Sequence, residues 1–156
     1  MNTSALSRLV GWTQTALFCA FGAAVLLDRS APLMAPSRGL AAGGTVLALA
    51  GVALVLVAIQ TLGRSIQIEP EPKATGELTT RGIYRWLRHP IYTGILGVIF
   101  GVFLRQPTTL VAAAGAVTVA FLLIKVRFEE RLLGRHYAGY AAYRRRSWGV
   151  IPPFRF

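Results

Sequence analysis

At 156 residues the chain is sized for one domain, and with 54% hydrophobic and 15% charged residues it is far more apolar than a water-soluble domain, where about a quarter charged is usual. The net charge of +11 would suit nucleic acid, but the cations flank long apolar runs and form no separate basic face, which argues against that partner. Two histidines and one cysteine, Cys19 inside an apolar run, leave no metal-ligand set of standard spacing and no intrachain disulfide.

The first uncharged run, Leu9–Leu27, is long enough for a membrane crossing, which takes roughly 20 apolar residues. Arg8 precedes it as in a signal peptide, but the run exceeds a usual signal core and more spans follow, so it reads as a retained helix. Trp12, Thr13 and Gln14 stand near one end of it, a usual depth for an interfacial aromatic. Pro32 and Pro36 interrupt the next connection. The second span, Leu40–Gln60, carries Gly43, Gly44 and Gly51, small residues that let another helix approach closely.

A long polar connection, Thr61–Arg88, follows. Pro70 and Pro72 hold its Ile68–Pro72 stretch extended, and a connection of that length is usually functional or disordered. With Gln67 and Tyr84 it reads as one wall of a site. The third run, Ile91–Leu104, begins behind Pro90, a residue suited to the first position of a helix. It is too short to cross on its own apolar residues, so it starts below the headgroup plane or extends upstream through Tyr84–His89. Its stripe of Gly94, Gly97 and Gly101 predicts a tight antiparallel hairpin with the fourth run, Gln106–Ile124. Beyond Lys125 the chain turns polar, and Tyr137, Tyr140 and Tyr143 followed by Arg144–Arg146 predict an amphipathic helix on the membrane surface, ended by Pro152-Pro153.

Lys and Arg gather after Lys125 and between Arg64 and Arg88, while the other two connections hold few. By the positive-inside tendency both termini are cytoplasmic and the basic tail faces anionic membrane lipids. The expected fold is an all-α integral membrane protein, one domain over 1–156, with four transmembrane helices and a C-terminal interfacial amphipathic helix.

The chain lacks a P-loop, a Gly-x-Gly-x-x-Gly after a strand, a Gly-x-Ser-x-Gly and a Ser-x-x-Lys, which removes most support for nucleotide hydrolysis and acyl transfer. What stands out is Gly82-Ile-Tyr84-Arg-Trp-Leu-Arg88-His89-Pro90-Ile-Tyr92-Thr-Gly94, then Glu129-Glu130, then Tyr140-x-x-Tyr143-Arg, then Pro152. Polar groups at the mouth of a membrane helix are costly and usually functional. This combination resembles the isoprenylcysteine carboxyl methyltransferase family, itself related to the phospholipid methyltransferases, over about residues 60–156. Residues 1–60 resemble it only as generic membrane helices.

The resemblance implies a methyltransferase of a bacterial inner membrane that takes S-adenosyl-L-methionine from the cytosol and a lipidic or small hydrophobic acceptor from the bilayer. It implies a cofactor-binding catalytic core over 61–156 behind two N-terminal helices, and no metal. Gln67, Leu78, Thr79, Tyr84, His89, Pro90 and Tyr92 would line the cofactor pocket, together with Glu129, whose register against Glu130 stays open. Where the family places an acceptor-binding arginine one turn before that acid, this chain has Lys125, with Arg127 close by. A lysine lacks the two-pronged guanidinium, so carboxylate, amine and thiol acceptors all stay open. For a neutral nucleophile Glu130 is the candidate base. Two other readings compete. One is an NADPH-dependent reductase of the sterol-reductase type, whose Asn after the Pro is replaced here by Ile91. The other is a non-catalytic membrane partner.

Overall fold

The computed structural model describes residues 3–35, 37–63 and 78–154, and it is helical. The elements are α1 (Thr3–Leu27), α2 (Arg38–Leu62), a single 3-10 turn at Gly82–Arg85, α3 (Pro90–Arg105), α4 (Thr109–His136) and α5 (Tyr140–Arg146). Local chemistry sets their ends. Ser37 caps α2 by accepting the Leu40 N–H at 3.1 Å, and Gly63, at φ +54°, stops it. Thr108 caps α4 by accepting the Val111 N–H at 3.3 Å. Pro90 opens α3, where its missing N–H costs nothing.

Among the described residues, three helices are long and apolar enough to cross a membrane: Leu6–Leu27, Arg38–Leu62 and Thr109–His136. At 16 residues α3 is shorter. Their outward faces carry large apolar side chains, among them Leu26, Leu27, Val46, Leu49, Phe100, Val117 and Ile124. Such a continuous apolar exterior is a liability in water and the natural contact for lipid tails.

Neighbouring helices run antiparallel in the order α1, α4, α3, α2, and the tightest contact joins α2 to α3. A methyl carbon built at Gly51 would lie 2.5 Å from the Gly94 carbonyl oxygen, and one at Gly44 would lie 2.5 Å from that of Gly101. The converse positions are as tight. The stripe of Gly94, Gly97 and Gly101 therefore meets α2, which corrects the expected hairpin with the fourth span. The reason is complementarity. Gly44 and Gly51 carry the same seven-residue spacing as Gly94 and Gly101, so two flat faces mate, whereas on α4 Gly115 forms a notch occupied by the side chains of Ile99 and Phe21.

The Leu33 N–H reaches the Pro107 carbonyl at 2.6 Å, so the α1–α2 and α3–α4 connections meet at one end of the bundle. The other end gathers the start of α1, the 3-10 turn and the C-terminal segment. There the chain after α5 returns to the approach to α3: Trp148 N–H donates to the Trp86 carbonyl at 2.8 Å, and Arg88 N–H to the Trp148 carbonyl at 2.9 Å. Beneath it lies the apolar core of Tyr92, Leu122, Val126 and Val150, bordered by Phe18, Ile95, Leu96 and Phe121.

Candidate functional site

The site is assembled where α3 begins and α4 ends. Gly82, at φ +55°, starts the 3-10 turn directly against Thr61, where an added Cβ would sit 2.9 Å from the threonine methyl. The turn delivers Arg88 and His89 to Pro90, the Arg88 N–H tied to the Trp148 carbonyl at 2.9 Å. His89 occupies the N-cap of α3 but makes no capping hydrogen bond, so its ring is committed to tertiary contacts instead. Tyr92, one turn along, stacks on that ring at 5.7 Å between centroids.

Glu129 and Glu130 diverge by about 100° around α4, and each meets a different set. Glu130 Oε1 accepts from Arg88 Nε at 2.8 Å and lies 2.8 Å from His89 Nε2, which donates in the tautomer that carries its proton there. Arg144 Nε approaches its other oxygen at 3.5 Å. Arg88 also donates through Nη1 to the carbonyls of Ser147 at 2.7 Å and Arg144 at 3.1 Å. One buried guanidinium thus ties the start of α3, the end of α4 and the end of α5 together. Glu130 thus has cations on both sides, hydrogen-bonded at Oε1 and at ion-pair distance only from Oε2, and its side chain is only 9% exposed.

Glu129 has softer company. Tyr92 donates its hydroxyl to Oε1 at 2.5 Å, His89 Nδ1 lies 3.9 Å from Oε2, and Lys125 stands 3.6 Å from Oε1. Lys125 is 3% exposed, sits 5.7 Å from the centre of the Tyr92 ring, and donates to the side-chain oxygen of Gln14 on α1. Around this pair the tail supplies phenols. Tyr143 hydroxyl donates to the Tyr84 carbonyl at 2.6 Å, and Tyr140 and Tyr143 pack edge to face. Burial raises the Tyr143 phenol to about 12 and pushes those of Tyr84 and Tyr140 higher still, so all three stay neutral.

Two cavities flank Glu130 and Arg144, which border both. One, of about 580 Å³, is walled by Tyr137, Tyr140 and Arg145; the other, of about 620 Å³, sets apolar Leu123, Val126, Val150 and Ile151 against Arg127 and Arg131.

The structure thus brings together Tyr84, His89, Pro90, Tyr92, Lys125, Glu129 and Glu130 from the sequence-predicted set. Leu78 and Thr79 are half-buried in the stretch leading to the 3-10 turn. Arg127 parts from Lys125: two residues on a helix differ by about 200°, and it lines the second cavity. Gln67 lies outside the described residues. Sequence reasoning gave no role to Gln14, Arg88 or Ser147. For Gln14 the signal was present, since it is the sole amide in the first uncharged run. Ser147 carried none, because its shorter contact with Arg88 is through the backbone carbonyl, at 2.7 Å against 3.5 Å for its hydroxyl.

The family model for phospholipid methyltransferases matches residues 40–139, from the beginning of α2 to just short of α5. Among solved structures, the eukaryotic intramembrane Ras methyltransferase, an isoprenylcysteine carboxyl methyltransferase, superposes with a TM-score of 0.65 at 23% identity. The match covers 98% of this chain and 52% of that one, so this chain spans about half that enzyme's length. No curated protein matches the sequence.

Proposed function

The chain belongs to the phospholipid methyltransferase family, and from that premise we propose that it transfers a methyl group from S-adenosyl-L-methionine to a lipidic or hydrophobic acceptor at the cytosolic membrane interface. The observation that carries this reading is the His89–Tyr92–Glu129 constellation at the polar end of an apolar bundle. Its donor set fits the cofactor. Glu129 keeps a carboxylate oxygen with no hydrogen-bonded cation, suited to hydroxyl or ammonium donors, and the Tyr92 and Tyr84 rings suit a cationic sulfonium. The cofactor would supply an electrophilic methyl carbon: the acceptor heteroatom forms a bond to it as the carbon–sulfur bond breaks and S-adenosylhomocysteine leaves.

In this scheme the protein's task is to hold two reactants in line and keep water out. Tyr84, His89, Pro90, Tyr92 and Glu129 line the cofactor side, together with Leu78, Thr79 and Gln67 from the connection. The 2.8 Å contacts of Glu130 with Arg88 and His89 favour Glu129 as the contacting acid and Glu130 as the organiser of Arg88, His89 and Arg144. The larger cavity, half apolar and half cationic, supports an amphiphilic acceptor, with Arg127 at its polar rim and Lys125 beside the reacting end. In the membrane α3 becomes a fourth crossing. Its 16 residues give about 24 Å of helix, completed by starting below the headgroups at His89. Both termini lie on the cytoplasmic side of an inner membrane, as the basic residues there favour. The surface helix α5 places Arg144, Arg145 and Arg146 among anionic headgroups, and Trp86, stacked on Arg85 at 5.3 Å, anchors the same interface.

Calorimetric titration of S-adenosylhomocysteine into the detergent-purified protein tests this. Micromolar binding that His89→Ala and Glu129→Ala both abolish is expected. No binding of this ligand together with binding of NADPH would overturn it in favour of the reductase.

A further inference from the structure

Three consecutive polar residues, Thr13, Gln14 and Thr15, interrupt the apolar face of α1. Two of them satisfy themselves locally: Thr13 hydroxyl donates to the Leu9 carbonyl at 2.8 Å, and Thr15 hydroxyl to that of Gly11 at 3.2 Å. Gln14 alone reaches another helix, accepting a hydrogen bond from the buried ammonium of Lys125. Lys125 is one turn from Glu129, and an ammonium that close to a carboxylate normally closes to hydrogen-bonding distance, about 2.7–2.9 Å. It stands instead at 3.6 Å.

We propose that Gln14 is a positioning residue for the donor site: its amide oxygen draws the Lys125 ammonium away from Glu129 and leaves that carboxylate to Tyr92 and the cofactor. This inference rests on the donor reading given above. It makes α1 part of the functional end, although α1 lies outside the family match at 40–139. Without the amide, Lys125 would close on Glu129 Oε1, the oxygen that Tyr92 already uses. An incoming donor group would then have to break a charge-assisted pair in a water-poor setting.

The test is calorimetric affinity for S-adenosylhomocysteine in five proteins: wild type, Gln14→Leu, Gln14→Glu, Lys125→Met and the Gln14→Leu/Lys125→Met pair. Gln14→Leu is expected to weaken binding about ten-fold, the scale of one hydrogen bond to a charged group. Gln14→Glu still engages the ammonium and is expected to restore affinity to within about two-fold of wild type. In the Lys125→Met background, Gln14→Leu is expected to change nothing further, because the group it controls is gone. A role for Gln14 in packing α1 against α4 predicts equal losses in both backgrounds, and that result overturns the proposal. So does wild-type affinity in Gln14→Leu. Failure of the wild type itself to bind overturns the donor reading and this inference with it.

Discussion

The α2–α3 seam and the junction of α3, α4 and the tail solve the same problem by opposite means. Both hold chain segments closer than ordinary side chains allow. The seam does it by subtraction: glycines at 44, 51, 94 and 101 let backbone touch backbone, and a side-chain hydrogen bond from Arg105 to Thr45 lies at its end. The junction does it by addition. Arg88 threads between Glu130 and two backbone carbonyls, so the contact is dense in charge and depends on each partner. A seam of shape is indifferent to chemistry and specifies only distance. A junction of charge specifies which atoms face one another, and it lies where the chain needs a reactive surface.

Removing a partner at the junction should have the largest effect. Arg88→Ala leaves Glu130 with His89 and a more distant, half-exposed Arg144, and stranding a buried charge costs about 3–5 kcal/mol. Loss of most folded protein in a detergent melt is expected. Retention of the wild-type midpoint would show that the junction is not held by charge. At the seam, Gly51→Leu drives a side chain into the Gly94 carbonyl and the Val98 amide. An overpacking cost of about 3 kcal/mol is expected, insensitive to salt and pH, and a salt-dependent loss would blur the distinction between the two regions.

Tyr92→Phe keeps the ring and deletes only the hydroxyl that holds Glu129. It should cost about ten-fold in S-adenosylhomocysteine affinity with little change in melting temperature, separating site from scaffold. Tyr143→Phe removes the 2.6 Å bond to the Tyr84 carbonyl. A stability loss of about 1 kcal/mol is expected, read as a drop in the melting midpoint with binding nearly intact.

The smallest effect is alkaline. Burial raises the Tyr143 phenol from 10.0 to about 12, so the folded state prefers it neutral. That contribution is complete below pH 10 and disappears as pH rises through 12. Wild type should therefore converge on Tyr143→Phe in midpoint between pH 10 and 12, while equal sensitivity of both proteins would assign the alkaline loss to other groups.

Much of this comparison could be read from the residues and part of it could not. Uninterrupted apolar runs announce long helices because lipid offers backbone groups no other partner, and α1, α2 and α4 follow them closely. Glycine spacing announced a close contact but not its direction, since Gly94, Gly97 and Gly101 suit any flat face and only the pairing with Gly44 and Gly51 decides. His89, Tyr92, Glu129 and Glu130 stood out because polar side chains at a membrane mouth are costly, and the fold brings all four together. Arg127 and Lys125 were read as neighbours because they are close in sequence, and helical rotation separates them. Gln14 meets Lys125 across 111 positions, a pairing that local pattern cannot specify. The carbonyls of Arg144 and Ser147 serve Arg88 through backbone, which every residue has.

The closure of Trp148 upon Trp86 and Arg88 has a consequence for biosynthesis. Translation delivers the acidic pair at 129 and 130 well before Trp148, so a nascent chain already holding four helices still lacks the clasp that aims Arg88 and seats Val150 beneath Thr93. On the donor reading, methyl-transfer competence waits until synthesis has passed Trp148. A messenger truncated within α5 would yield a protein that inserts in the bilayer with its reactive end unassembled.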